Sequence, residues 1–480
     1  MLDEFTTNLI LSRLTFGPTA ASRAELSSLG LKKWLTKELA AKAPEQSVFL
    51  TDPKTFPSSN ETLAQTLENP LYRRRAFWVS RELAALTTLR KLYAANQVQE
   101  TLAEHFADYV PVPLFSQADI ARMDYDRTIR ANIQKTYPEL LVAAAFHPAM
   151  LISLNGQTST AASPNENFGR ELLELFTVTP KFKYSEKDVV QAALMLTGIN
   201  YSYATSELRA IPSRHHFGRI SLLGFSHSNL PTESSATILS RATQMIKYLA
   251  LLPATAEEFS LRMARRYVSE TPSKKLLELM KRTYMATKGS IPAVFSAMVL
   301  SPEFLATKPS KVKRPAEHLA SSVRALNLEL AAPIQDLVTS GQLDFNDLNS
   351  LTTILERQGH VPFDWGTPDG YPDYSDAWTT FGGQAQRWNL TAKISQGAMR
   401  NVFTVPTFAT LLTQSTSVSA VIDQVVQRTL SSPLRASDKQ RMVTLIEANV
   451  NRAQTAQQQF AKISSMAFGL VMATEEWNLR

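Results

Sequence analysis

Apolar residues return at spacings of three and four along most of the 480-residue chain, the mark of amphipathic helices. The pattern predicts helices over about residues 5–15, 20–40, 71–108, 117–146, 164–178, 185–198, 235–268, 272–300, 311–328, 372–399 and 416–430, with a last one over 453–477. Alternating strand-like runs are rare, the best being 219–225. The expected fold class is therefore all-α: a large multi-helix globular domain with at most a small β-hairpin or irregular strands near 200–225. Clusters of Pro, Ser, Thr and Asn at 51–61, 155–165, 200–232 and 308–315 read as loops, and none has the length or bias of an interdomain linker. A single domain over 1–480 is the simplest organisation, divisible into lobes at about 1–155 and 156–480.

Composition narrows the chemistry. The absence of cysteine removes thiol nucleophiles, disulfides, thiolate zinc sites and cysteine-held iron–sulfur clusters together. Sixteen glycines in 480 residues leave little room for phosphate-cradling loops. A net charge of +7 is mild for this length, and short basic clusters such as Arg73-Arg74-Arg75 form neither a stripe nor a known module. Nucleic acid is thus not an expected partner. No Gly-x-Ser-x-Gly elbow, Walker loop, dinucleotide fingerprint or His-Glu-x-x-His helix occurs. The longest apolar run, 140–154, is interrupted by His147 and Pro148, and the acidic start Met1-Leu2-Asp3-Glu4 is unlike a secretory signal, so a soluble protein without a transmembrane span is expected.

The most explicit helix follows Ser163-Pro164-Asn165-Glu166, where Ser suits a cap, Pro the first helical position, and Glu166 the returning carboxylate of a capping box. Projected at 3.6 residues per turn, Glu166, Arg170, Glu174, Asn167 and Glu171 form a polar arc opposite Phe168, Leu172, Leu173, Leu175 and Phe176. Glu171 and Glu174 lie at i and i+3, close enough to share a metal or to shift each other's titration, although a solvated face neutralised by Arg170 is the preferred reading of the residues alone.

The run Asn165-Glu166-Asn167-Phe168-Gly169-Arg170-Glu171-Leu172-Leu173-Glu174-Leu175 resembles the signature helix of a bacterial, mostly exported family, the domain-of-unknown-function 1800 family. Further segments resemble it in the same order: Leu11-Ser12-Arg13-Leu14-Thr15-Phe16-Gly17-Pro18, Tyr125-Asp126-Arg127, His147-Pro148, Leu196-Thr197-Gly198, His216-Phe217-Gly218, Ser301-Pro302-Glu303-Phe304, Lys313-Arg314-Pro315-Ala316-Glu317 and Pro368-Asp369-Gly370-Tyr371-Pro372. The resemblance covers almost the whole chain and implies an exported, periplasmic or extracellular protein.

The chain departs from the family pattern where it counts. Relatives carry histidines at positions that here read Leu9, Tyr109, Asn132 and Phe176, while His147 and His216 keep theirs. Converging histidines and carboxylates would suggest a first-row transition metal, held here by His147, His216, Glu171 and Glu174 if the site survives, with Glu171, Glu174 and Arg170 as the catalytic set. Phe in place of a buried imidazole instead reads as conversion of a polar site into core.

Other candidates stand beside their simpler readings. His147 precedes Pro148 and marks a helix end, where terminal carbonyls favour an imidazolium. Arg209, Arg214, His215, His216 and Arg219 form the densest basic segment, an anion or glycan site unless they are scattered surface cations. Aspartates and aromatics interleave over 363–378, either lining a sugar cleft or, as the simpler reading, anchoring a long loop. The function expected is a divergent, non-catalytic or altered-chemistry helical subunit that binds a partner protein. The resemblance implies that this partner is an exported protein of phosphatase or sulfatase fold. A metal-dependent His/Glu enzyme and an anion- or glycan-binding protein are the alternatives.

Overall fold

The structure is a computed structural model describing residues 2–40, 55–203, 205–332, 351–415 and 417–480. The described residues contain 24 α-helices and three two-stranded sheets, so the all-α expectation holds. Two antiparallel hairpins fall in and just beyond the expected region, Ile199–Ser202 with Glu207–Ala210 and Gly218–Leu222 with Phe225–Asn229. A third pair, Glu329–Leu330 with Phe403–Thr404, was not foreseen. Of the loop expected at 51–61, residues 51–54 lie outside the described residues, and Pro57–Asn60 forms a helical turn.

Long periodic stretches break where a cap is available. The stretch 71–108 resolves into Pro70–Arg74, Phe77–Tyr93 and Gln97–Tyr109, the last capped by Asn96 accepting from the Gln99 amide at 3.0 Å. Thr136 divides 117–146 through a capping box with Glu139, and Pro253 starts a new helix inside 235–268. Helix Ala436–Asn449 escaped the periodicity because it buries only Met442 and Ile446. The signature helix, Glu166–Glu174, is capped by Asn165, whose side chain accepts from the Phe168 amide at 3.2 Å. Ser163 instead sits in a bridge with Thr160, so the expected Ser163–Glu166 capping box does not form. Gly169 lets this helix lie against Glu186–Met195, since a Cβ there would meet the Val189 carbonyl oxygen at 2.7 Å.

The interior has two apolar cores. One joins the N-terminal helix Glu4–Leu14 to residues 97–304, around Leu102, Phe106, Tyr137, Phe259 and Phe295. The other joins Phe77–Tyr93 to Pro315–Ala325 and the C-terminal helices, around Leu86, Leu319, Ile422 and Phe468. Helices Phe77–Tyr93 and Gln97–Tyr109 are neighbours in sequence yet serve different cores, and the seam between them carries charge.

Candidate functional site: a cleft over a buried ionic seam

Helix Gln97–Tyr109 is buried along nearly its whole length, yet it carries Glu100, Glu104 and Asp108 at a spacing of four. Unpaired, each would be costly, so each takes a cation. Glu104 receives Lys91 at 2.5 Å and Arg266; Arg266 also reaches Glu317 at 2.8 Å, and Arg480 reaches Glu317 at 3.1 Å. Glu100 and Asp126 share Arg130 at 2.6 and 2.7 Å, and Asp126 takes Arg90 at 2.9 Å. Arg314 holds Asp108 through one terminal nitrogen and, through the other, Asp373 at 3.0 Å and the Tyr371 carbonyl at 3.2 Å. Burial alone would raise Glu104, but Lys91 and Arg266 outweigh it and hold the carboxyl well below its usual range. Burial pushes Lys311 and Lys313 down to about 7, Lys313 lying 3.5 Å over the Trp477 ring.

The motifs singled out in the sequence meet one another here. Arg13 donates to the Phe304 carbonyl at 2.8 Å, tying the first motif to Ser301-Pro302-Glu303-Phe304. The Thr197 hydroxyl accepts from the His216 amide at 2.9 Å. Arg314 of one motif donates to the Tyr371 carbonyl of another at 3.2 Å, while Glu317 accepts from the Arg314 amide within its own motif at 2.8 Å. Arg13, Thr197 and Arg314 thus act as ties between distant segments.

Above Asp108 and Asp373 the seam opens into a cleft of about 250 Å³, walled by helix Pro253–Tyr267 and the loop 365–374. Gly370 (φ +74°) packs its backbone onto Asp108, where a Cβ would come within 2.0 Å of the carbonyl oxygen. Tyr371 and Trp378 are buried around His360, at 4.6 and 5.1 Å between ring centroids, and anchor the loop as the simpler sequence reading expected. Trp365 and Tyr374 remain at the cleft. The Trp365 indole donates to Asp369 at 3.1 Å. Arg262 pairs with Glu258 at 3.4 Å and lies 4.4 Å over the Tyr109 ring, and Arg265 donates to the Tyr374 hydroxyl at 3.3 Å. His105 lines the cleft, 4% exposed, with no hydrogen-bond partner at Nε2. Burial, reinforced by Arg266, Arg262 and Arg314 despite Asp373, pushes it down to about 3 and keeps the imidazole neutral.

The sequence-selected metal ligands go elsewhere. His147 opens helix Pro148–Ser153 as its N-cap, so the expectation of an imidazolium against terminal carbonyls is corrected. Its Nδ1 accepts from the Ala149 amide at 3.1 Å, which puts the proton on Nε2, donated to Asp124 at 3.0 Å. Burial keeps this imidazole below its ordinary pKa. Arg170 makes two bonds to Glu186, at 3.0 and 2.6 Å, and Tyr184 donates to Glu174 at 3.1 Å. Glu171 is raised by partial burial and then by Glu174, and no residue of its helix lines the cleft. No group of three or more His, Asp or Glu suited to a metal occurs among the described residues.

The basic segment divides as well. Arg209 and Arg219 stand exposed on separate hairpins, and Arg214 is exposed in the turn between. His215 is a buried strut between the Thr197 carbonyl at 2.8 Å and the Asn229 amide at 3.0 Å, corrected from an anion ligand. His216 is half-buried and contributes its backbone to Thr197 and Asn229.

The sequence pattern of one family, described as protein of unknown function (DUF1800), matches residues 9–479. The chain belongs to that family. No curated protein and no solved structure matches it. Of the four positions that the resemblance marked for histidine, Tyr109 and Phe176 share a neighbour: Tyr109 packs 5.2 Å from Tyr137, whose hydroxyl donates to the Phe176 carbonyl. Leu9 and Asn132 are buried elsewhere. His105, Glu104, Arg262 and Arg266 were missed, although carboxylates every fourth residue on an otherwise apolar helix were a usable signal. No helix among the described residues is long and apolar enough to cross a membrane.

Proposed function

We propose that this chain is a divergent, non-catalytic or altered-chemistry family member that works by binding a partner protein. The observation that carries this is an aromatic face on helix Phe381–Ser395. Phe381 is 88% exposed at the head of the helix, and Trp388, two turns on and therefore on the same face, is 49% exposed. The Trp388 indole donates to Ala473 at 3.1 Å, and Ala473 lines a groove of about 330 Å³ with Met442, Leu445 and Leu470. Arg435, Asp438, Arg441 and Glu475 border the groove. Aromatics ringed by mixed charge are the usual anatomy of a docking patch.

The proposed partner is an exported protein of phosphatase or sulfatase fold, and the proposed setting periplasmic or extracellular, both resting on the family resemblance alone. The metal-enzyme reading is weaker because both His147 nitrogens and the Glu174 carboxylate are engaged in structural bonds. The test is calorimetric titration against a phosphatase/sulfatase-fold protein of the same host. Wild type should bind, and Phe381→Ser should weaken binding at least roughly tenfold with unchanged melting. Absence of wild-type binding, or equal binding by the variant, overturns the proposal.

A further inference from the structure

We propose that the cleft formed by helices Gln97–Tyr109 and Pro253–Tyr267 and the loop 365–374 is a saccharide site that takes one or two neutral sugar rings. It involves none of the residues of the docking face. At about 250 Å³ it lies below the range of drug-sized pockets and suits a ligand of one or two small rings. Aromatic faces that stack on the C–H side of a sugar are present in Trp365 and Tyr374, with Tyr109 beside them. The Trp365 ring is fixed before any ligand arrives, by its bond to Asp369 at 3.1 Å and by Tyr371 at 5.1 Å.

Charge bookkeeping within the walls argues for a neutral ligand. Asp108 and Asp373 are both held by Arg314, and Glu258 by Arg262. Arg265 and Asp369 are opposite in sign and are engaged by the Tyr374 hydroxyl and the Trp365 indole, so a neutral ligand leaves every ion pair of the walls in place. Carboxylates held by one cation still offer lone pairs to sugar hydroxyls, and the guanidiniums offer donors. His105 supplies the second, independent indication: it is nine-tenths buried against the cleft, and its Nε2 has no partner in the protein. A buried polar atom left unmatched is costly, and a ligand hydroxyl at the cleft floor would satisfy it.

Saturation-transfer NMR on the full chain tests this, with methyl glucoside, N-acetylglucosamine and maltose as neutral probes and glucuronate and inorganic phosphate as charged ones. Saturation should reach the ring protons of at least one neutral probe. Tyr374→Ala, which removes a half-exposed ring, should weaken that binding roughly tenfold with unchanged melting, and Trp365→Ala should abolish it. If Trp365→Ala does not fold, Tyr374→Ala and Asp369→Asn carry the test. The proposal is overturned if no neutral probe is saturated, if only glucuronate or phosphate binds, or if the folded variants bind as wild type does.

Discussion

Arg314 and Asp373 meet at 3.0 Å inside the protein, and the same guanidinium holds Asp108 on the opposite side of the seam. One side chain thereby fastens the loop 365–374 to helix Gln97–Tyr109 and joins two apolar cores. Removing one partner from such a group leaves charge buried without compensation, and this costs more than the pair contributes. Arg314→Leu should destabilise the protein by about 3–5 kcal/mol in urea unfolding. Combining it with Asp108→Asn and Asp373→Asn should recover part of that loss. A combination no better than the single variant would mean that Arg314 acts through packing alone.

Gly370 makes a second, steric fastening at the same place. Its φ is +74°, and a Cβ would stand 2.0 Å from the Asp108 carbonyl oxygen, closer than any real contact. Gly370→Ala must therefore lift the loop from the helix. We expect a loss of about 2 kcal/mol or more, seen as a lower urea midpoint, together with altered Trp365 fluorescence as the cleft widens. A midpoint within error of wild type would contradict the packing described.

The helical class was legible because amphipathic spacing is local: Phe168, Leu172 and Leu173 lie on the buried side that projection assigned them. The signature helix's true cap was missed because Ser163, Pro164 and Asn165 are all plausible starting signals, and only the fold selects Asn165. The cleft was illegible for a different reason. Asp108, Arg262, Arg314 and Asp373 come from segments with no common pattern, and the pairings that make their burial tolerable are long-range. His147 shows the limit of motif reasoning: the residue before Pro148 was rightly placed at a helix end, but the choice between an amide to accept from and a carbonyl to donate to required the backbone.

His147 also gives a pH prediction. Its folded pKa lies below the ordinary value because burial outweighs the Asp124 carboxylate, so the unfolded chain takes up the proton first. Its contribution to stability is complete above pH ~6.5 and fades as pH falls through the interval down to the folded value. His147→Asn keeps an N-cap acceptor without a titrating group. The advantage of wild type over this variant should be largest near neutrality and shrink below pH ~6.5. Asp124→Asn should lower the His147 pKa further in NMR titration, since Asp124 is what supports the charged form. A rise would reverse the assignment.

Glu171 separates the lost-chemistry reading from a surviving active site. It is half-buried, and burial followed by Glu174 raises its pKa, so its ionised form opposes folding. A carboxyl raised in the folded state holds its proton longer than in the unfolded one, and the penalty appears as pH climbs above the unfolded value near 4. Glu171→Gln should therefore stabilise the protein at pH 7 by about 0.2–0.5 kcal/mol, and the gain should vanish near pH 4. Glu174→Gln should not repeat this gain, because Glu174 accepts from Tyr184. A metal ligand would behave in the opposite way: loss of a bound ion would destabilise the chain at neutral pH and lower metal content by mass spectrometry. A stoichiometric transition metal in the untagged wild type that disappears in Glu171→Gln would restore the signature helix as a catalytic element.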